Sequence, residues 1–418
     1  MMRRKILGMI MAGGKGERLH PLTRDRAKPA VPFGGKYRII DYVLSNFVNS
    51  GICSIYVLTQ FKSQSLVEHL EQAWMMKSFF RDQFISVVPA QMRTGESWYK
   101  GTADAINQNI HLIRNTKPDL VAVFGGDHIY RMDIRQMAQM HEEKKADVTV
   151  ASLPVPVGES SRFGVVVVDE DWRITGFQEK PQTPIPLPGD SKHFLASMGN
   201  YIFNADFLLN ILKSDASDSK SSHDFGKDIL PAIHQAARIY AYDFTSNTIP
   251  GTPRGEKNTY WRDVGTIDAY WEASMDLRAV KPVFNLYNLD WPIRTMEYGG
   301  PPAKFVHESG DRVGRAINSM VCEESIISGG TVRDSIVGRC VRVHSFAEVS
   351  ESVIMDNVEV GEGAKLKRVI VDKNVIIPAG AKIGFDVAED RKHYTISEGG
   401  IVVIPRQRRI REVAELEI

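Results

Sequence analysis

The sequence predicts an α/β, Rossmann-like domain followed by a parallel β-helix, and three features lead there. Up to about Val280, short apolar runs alternate with segments of helical periodicity. The first apolar run ends in a glycine-rich turn, Ala12-Gly13-Gly14-Lys15-Gly16. From Met320 onward, aliphatic residues recur at a six-residue step through four turns. At 418 residues the chain exceeds what one core usually supports. We expect one domain over 1–280, a linker that packs over 281–310, and the β-helix over 311–418.

Residues 5–11 form an apolar run suited to a buried strand. Arg3-Arg4-Lys5 ahead of it imitates the start of a signal peptide. The run is short, however, and charged residues follow at once, so it serves better as a strand. Further strands are expected at 54–59, 85–89, 120–125 and 148–153, with helices over 41–49, 65–74, 102–114 and 133–144. In the third of these helices Asp104, Ile106, Ile110 and Ile113 show the spacing of a helix packing on a sheet. Such sheets bind ligands beyond the carboxyl ends of their strands, where Gly13 and Asp127 would meet. From Arg162 the pattern shortens into hairpin-rich strands at 163–168, 174–178 and 198–203. A proline-rich loop over 181–188 and a polar, glycine-rich stretch over 245–260 interrupt them.

The β-helix series begins with Met320, Ile326 and Val332 and continues with Val337, Val343 and Val349. Ile354, Val360 and Leu366 follow, then Val371, Ile377 and Ile383. The pattern recurs about every 17 residues, and Gly330, Ala347, Ala364 and Ala381 keep equivalent places. An antiparallel sheet would instead show a step of two and a turn pair at each reversal.

Composition excludes several classes. With 43% hydrophobic and 25% charged residues this is an ordinary globular chain. A net charge of +1 leaves no electrostatic footprint for nucleic acid or an anionic membrane. Cys53, Cys322 and Cys340 lack metal-site spacing, and their small, odd number fits a reducing cytoplasm.

The glycine-rich turn, with a helix start behind it, could cradle phosphate on backbone N–H groups. It is neither a P-loop nor G-x-G-x-x-G, and a plain strand-to-helix turn is the alternative. Arg18 and Lys28 add two positive charges, and Pro29 should keep Lys28 extended, projecting its ammonium from a strand. Asp127, after the apolar strand and Gly125-Gly126, is suited to hold a divalent cation on a polyphosphate, or else caps a helix. Asp263 is a candidate second oxygen ligand, or again a helix cap. Glu179-Lys180-Pro181 ends a strand: Glu179 could accept sugar hydroxyl protons while Lys180 grips a phosphate, or the two form an exposed turn pair. In Trp98-Tyr99-Lys100-Gly101-Thr102, Tyr99 offers an aromatic face and Gly101 room for a ligand against the backbone. The alternative there is a hydrophobic staple with an N-cap. No G-x-S-x-G and no zinc-spaced Cys/His cluster occurs.

Taken together, GGKGERLHPLT, RAKPAVPFGGKYRIIDYVLSN, WYKGTADA, GGDHIY, FQEKP, SMGNYIF, SSHDFGKDILP and YWRDVGTIDAYW resemble the glucose-1-phosphate adenylyltransferase (ADP-glucose pyrophosphorylase) family of bacterial type. The resemblance runs from about residue 6 to the end. It implies a nucleotide-diphospho-sugar transferase domain and a left-handed β-helix with an allosteric and oligomeric role. The reaction it implies is ATP plus glucose 1-phosphate giving ADP-glucose and diphosphate, the committed step of glycogen synthesis. By position, it implies that Gly13, Gly14, Gln91 and Gly101 hold ATP. Arg18 and Lys28 would neutralise the triphosphate and the leaving pyrophosphate, and Asp127 and Asp263 would ligate Mg²⁺. Catalysis would rest on Arg18, Lys28 and Asp127. Tyr99, Gly164, Glu179, Lys180 and Ser197 would bind glucose 1-phosphate. The family also implies a homotetramer with a sugar-phosphate or organic-acid activator and a nucleotide or phosphate inhibitor.

One position departs from the pattern. Members activated by fructose 1,6-bisphosphate resemble LT-x-K-RAKP, whereas Asp25 stands here in place of the lysine. Arg26, Arg38, Lys373, Arg406, Arg408 and Arg409 still match effector-site positions. A carboxylate beside an anionic effector is repulsive, so an altered or weaker activator response is expected.

Three rival readings remain. Another sugar-1-phosphate nucleotidyltransferase would use UTP, GTP or dTTP. A non-catalytic regulatory or exchange subunit is opposed by intact Arg18, Lys28, Asp127, Lys180 and Asp263. A hexapeptide acyltransferase would rely on His344, the single histidine within the counted coils, but no coil insertion forms a cofactor site.

Overall fold

The computed structural model describes residues 4–74, 82–91, 98–253 and 259–406. Its first half is built on a nine-stranded mixed sheet. Strand β1 (Ile6–Met11) leads through the glycine turn to helix α1 (Ile39–Asn49), and then to β2 (Ser54–Thr59) and α2 (Gln64–Trp74). Next come β3 (Phe84–Pro89), the helices α3 (Thr102–Asn107) and α4 (Ile110–Thr116), and β4 (Leu120–Gly125). A two-residue strand β5 (Ile129–Tyr130) precedes α5 (Ile134–Glu143) and β6 (Val148–Pro156). Then follow β7 (Gly164–Val168), β8 (Ile174–Glu179), β9 (His193–Asn204), α6 (Ala205–Ala216) and β10 (Ile239–Asp243). The short β11 (Trp261–Arg262) and α7 (Ile267–Leu277) close this half.

The main path of the sheet runs β8-β7-β9-β4-β1-β2-β3, with β6 joining β9 to β10. β1 lies parallel between β2 and β4, with Met11 opposite both Leu58 and Gly125. Three carboxyl-terminal strand ends are therefore level, and the loops leaving them share one edge. Alternate residues face opposite layers: Ile10, Leu120, Ala122 and Phe124 join one core, and Leu7, Met9, Val121 and Val123 the other. Among the described residues, no helix is long and apolar enough to cross a membrane.

Four local expectations need correction. The helix expected over 102–114 is two helices. Asn109 turns its side-chain amide onto the Ala105 carbonyl at 2.9 Å, while its own N–H bonds Ile106, so the regular ladder breaks there. The strands expected at 148–153 and 198–203 are longer because 193–197 pair with 152–156. Pro154 and Pro156 are tolerated in β6 because β10 pairs only with 148–152, leaving one side of that end without a strand partner. The glycine turn leads not into an α-helix but into a single 3₁₀ turn, Glu17–Leu19. Lys28 is not on a strand: it opens the 3₁₀ turn Lys28–Ala30, with Ala27 the extended residue. A proline second in such a turn has no N–H that needs a partner.

The second half is a triangular parallel β-helix of stacked coils. Val332, Val349, Leu366 and Ile383 stack on one sheet, and Val337, Ile354 and Val371 on another. The expected phase fails only in the first coil, where Val321 and Ile327, not Met320 and Ile326, align with the inward Val337 and Val343. That coil is 16 residues long, one short of its successors, so its apolar positions shift by one. The corners recur as well. Cys340, Asn357 and Asn374 share a left-handed backbone, as do Asp334, Glu351 and Arg368, and Phe346, Gly363 and Gly380. The first β-helix strand, Lys304–Val306, already lies inside the stretch expected as linker and pairs with Ile326–Ser328. The rest of that stretch packs along α1: Asn49 donates to the Pro292 carbonyl, and Ser45 Oγ accepts from Arg294 N. His344 is held by Glu359 at 2.8 Å, a surface pair within the coils.

The two halves share a core. Leu19, Leu22, Val31 and Phe33, which follow the glycine turn, pack with Ile336, Val353, Met355, Ile370 and Val403 of the β-helix.

Candidate active site

A cavity of about 950 Å³ opens beyond the carboxyl ends of β1, β2 and β4. Its floor is set by a small ribbon in which β5 pairs antiparallel with β11, Tyr130 opposite Trp261 and Ile129 opposite Arg262. Asp127 and His128 lead into one strand of this ribbon and Asp263 leaves the other. Neither aspartate caps a helix: Asp127 precedes a strand, and Thr266 caps α7 by accepting from Ala269 N. Two residues 136 positions apart are thereby brought onto one lysine. Lys28 Nζ donates to Asp127 Oδ2 at 3.1 Å and to Asp263 Oδ1 at 2.7 Å, with its side chain only 6% exposed.

The glycine turn fixes the root of that lysine. Gly16 has φ +62°, and a Cβ there would stand 3.0 Å from Lys28 Cβ and 3.1 Å from Thr23 Cγ2. Thr23 Oγ1 also donates to the Gly16 carbonyl at 2.9 Å. Gly14 has open space where a side chain would project. Arg18 reaches over the same site, with Nη2 3.7 Å from Asp263 Oδ2 and 73% of the side chain exposed.

Charge on this cluster is mutually supported. Burial opposes the charged form of Lys28, yet the two carboxylates raise its pKa above the ordinary value. Burial likewise works against ionised Asp127, but Lys28 and His128 hold its carboxyl well below the usual range, and the same balance lowers Asp263. Asp127, Asp263 and His128 form the cluster among the described residues whose donor atoms, all within 4.8 Å of one another, suit a metal ion. His128 Nε2 lies 3.7 Å from Asp127 Oδ1 and 3.9 Å from Asp263 Oδ1, while its buried Nδ1 has no hydrogen-bond partner among the described residues. Two carboxylates and an imidazole with capacity to spare fit a divalent cation. Sequence reasoning left His128 without a role although it stands inside GGDHIY, since one histidine beside an aspartate has no distinctive spacing.

The other wall carries the residues expected to hold a sugar phosphate. β8 and β7 bring Glu179 opposite Gly164, where a Cβ would lie 3.6 Å from Glu179 Oε2. Lys180, at φ +44°, faces the same space with Nζ 3.4 Å from Glu179 Oε1, both side chains about half exposed. β9 pairs first with β7 and then with β4, and its register shifts between Ser197 and Tyr201 around Gly199 at φ +70°. That bulge turns Ser197 into the cavity wall. Tyr99 also lines it, and its hydroxyl accepts from Asn109 Nδ2 at 2.9 Å.

Gly13, Gly14 and Gly101 line the cavity, whereas Gln91 stands exposed beyond β3 and is not in its wall. Gly101 is glycine for a reason other than ligand access: a Cβ would stand 2.3 Å from the His223 carbonyl oxygen. Asp224 is a further lining residue that sequence reasoning passed over, and its carboxylate accepts from Thr102 Oγ1 at 3.1 Å.

Of the residues expected at an effector site, Arg26, Arg38 and Lys373 lie at the seam between the halves. Arg26 Nη2 donates to both oxygens of Asp372, at 2.6 and 2.5 Å, with both side chains buried. Lys373 pairs with Asp356 at 2.9 Å. Its pKa is lowered by burial and by the neighbouring Arg38 and Arg26, against the pull of Asp356. Arg38 Nη1 donates to the Ser65 carbonyl at 2.6 Å. Asp25 pairs with Arg24 at 3.1 Å, and Arg24 donates to the Arg406 carbonyl at 2.6 Å. Arg408 and Arg409 lie outside the described residues.

Comparison with known proteins agrees with this layout. Residues 7–280 match the nucleotidyl transferase family model, and residues 301–404 match the GlmU-like C-terminal hexapeptide model, the repeat of left-handed β-helices. A glucose-1-phosphate adenylyltransferase of Thermus thermophilus is 56% identical over 97% of this chain and 99% of its own length. Proteins of the same name from Deinococcus radiodurans and, as isoform 1, Vibrio vulnificus are 51% and 50% identical over the same shares. With sheet, cavity and β-helix in one continuous match, the chain belongs to the glucose-1-phosphate adenylyltransferase family of nucleotidyltransferases.

Proposed function

We propose that this chain converts ATP and α-D-glucose 1-phosphate to ADP-glucose and diphosphate, as the committed step of glycogen synthesis. The carrying observation is Lys28 bridging Asp127 and Asp263 beside the glycine turn, in one cavity with the Glu179–Lys180 pair. Attack of a sugar phosphate on the α-phosphorus brings two polyanions together, so the protein must mainly neutralise charge and align the reactants. Asp127 and Asp263, with His128 beside them, would hold Mg²⁺. When bound, that ion supplies electrostatic stabilisation of the polyphosphate. Arg18 and Lys28 offset charge developing on the departing diphosphate, and the turn from Gly13 to Gly16 lets the nucleotide lie close to the backbone. Lys180 fixes the phosphate of the incoming sugar, Glu179 accepts from its hydroxyls, and Tyr99, Gly164 and Ser197 shape the remaining wall.

A nucleotide panel tests the reaction. Diphosphate release with glucose 1-phosphate should require ATP, and comparable rates with UTP, GTP or dTTP would replace this reading by its nearest rival. Lys180→Ala should raise the KM for glucose 1-phosphate by about 10- to 100-fold with little change in kcat, the loss of one charge-assisted contact. An unchanged KM would remove Lys180 from the sugar-phosphate site.

Regulation belongs to the same proposal. A cytoplasmic homotetramer would take an anionic activator and a nucleotide or phosphate inhibitor at the seam, near Arg26, Arg38 and Lys373. Arg406, whose carbonyl accepts from Arg24, would extend that surface, and the family resemblance assigns Arg408 and Arg409 to the same effector. Asp25 repels a second phosphate there, so fructose 1,6-bisphosphate should activate less than fructose 6-phosphate, pyruvate or 3-phosphoglycerate, and Asp25→Lys should improve its effect. Strong activation by the bisphosphate alone would contradict this.

A further inference from the structure

We infer that Lys28 is an internal counter-cation standing in for the metal: it occupies the two carboxylates while no nucleotide is bound, so that the divalent ion binds firmly only together with the nucleotide. The inference rests on the nucleotidyltransferase reading of this cavity and adds an order of events to it.

The geometry is one of competition for shared oxygens. Asp263 Oδ1 accepts from Lys28 at 2.7 Å, and this oxygen is also the one 3.9 Å from His128 Nε2. Asp127 is divided: Oδ2 accepts from Lys28 at 3.1 Å, while Oδ1 faces His128 at 3.7 Å. A hard divalent ion sits about 2.1–2.5 Å from its oxygen ligands. Placed on Asp263 Oδ1, it would stand less than about 5 Å from a full ammonium charge inside a cavity wall, where screening is weak. Both cations cannot hold Asp263 Oδ1 closely at once, and an ion on the remaining oxygens of the two carboxylates would still face the Lys28 ammonium at short range.

The lysine is built to yield at one end only. Its root is packed against Gly16, where a Cβ would stand 3.0 Å from Lys28 Cβ, whereas the side chain ends in the cavity that Gly13, Gly14 and Gly16 also line. A polyphosphate lying along that turn gives the ammonium new anionic acceptors and neutralises the repulsion. The same event that frees the carboxylates therefore supplies the lysine with its next partner. His128, whose Nε2 already faces both carboxylates, then adds a third donor toward the released position.

The test is a Mn²⁺ titration of the full chain, read from the electron paramagnetic resonance signal of free Mn²⁺. Without nucleotide, Lys28→Met should bind one Mn²⁺ at least about tenfold more tightly than the native chain, because a neutral side chain of similar length vacates the carboxylates. Adding Asp127→Asn to that variant should abolish the gain, and Lys28→Arg, which keeps the charge, should bind as weakly as the native chain. If Lys28→Met does not fold without metal, Lys28→Gln carries the same expectation. Equal Mn²⁺ affinity in native and neutralised chains would overturn the inference, as would nucleotide-free native affinity as high as that with a non-reacting ATP analogue. Neither result would touch the reaction itself, which stands or falls on diphosphate release from ATP and glucose 1-phosphate.

Discussion

Asp127→Asn is expected to lower kcat by about three orders of magnitude or more with the fold intact. The amide keeps the shape but removes a full negative charge from the pair that faces Lys28. It can neither neutralise a metal ion nor hold the ammonium at 3.1 Å as a charged partner. Folding should be spared because the carboxylate faces the cavity rather than a core: it is 37% exposed, and Asp263 stays on Lys28. Diphosphate release measured beside a circular-dichroism melt separates the two effects. Activity within tenfold of the native chain would remove Asp127 from the chemistry.

The largest stability effect should come from a residue that touches no substrate. Asp372→Ala strands the Arg26 guanidinium in the seam, buried and without its carboxylate, at a cost of about 3–5 kcal/mol. The denaturant midpoint should fall accordingly, and the loss should be seen in both halves because their core is continuous across the seam. Most of this is the penalty of a lone buried charge rather than the worth of the pair. The double variant Arg26→Met with Asp372→Leu should therefore recover much of the loss. If Asp372→Ala left the midpoint unchanged, the seam would not be fastened by this pair.

The parts of the fold that were legible in the sequence are those held by local pattern. β2 and β4 sit where their apolar runs put them, because buried parallel strands need continuous hydrophobic stretches. The β-helix could be counted because each coil repeats the last. What was missed depends on distant partners or on a single side chain. The amino-terminal part of β9, His193–Ser197, is a short apolar run after the proline-rich loop, and its extent as a strand is set by pairing with 152–156. The break at Asn109 is one amide outcompeting the helix ladder, which no periodicity reveals. For the site, motifs supplied names but not neighbours. Arg26 and Asp372 are separated by 346 positions, and nothing in either segment announces the other. Lys28 could be read as a cation near phosphate, but its grip on Asp127 and Asp263 exists only because the β5–β11 ribbon closes.

The shared core has a consequence for how the loop after β1 keeps its shape. Leu19, Leu22 and Val31 bracket the segment that carries Arg18 and Lys28, and they rest on Ile336, Val353 and Ile370, side chains mounted on a stiff prism. Short 3₁₀ turns have little rigidity of their own. The loop borrows its firmness from a scaffold that contributes no residue to the cavity lining, much as a keystone borrows from the wall behind it. A change in how the prism sits would therefore reach the turn that carries Lys28 through Leu19, Leu22 and Val31, side chains that the catalytic half cannot bury by itself.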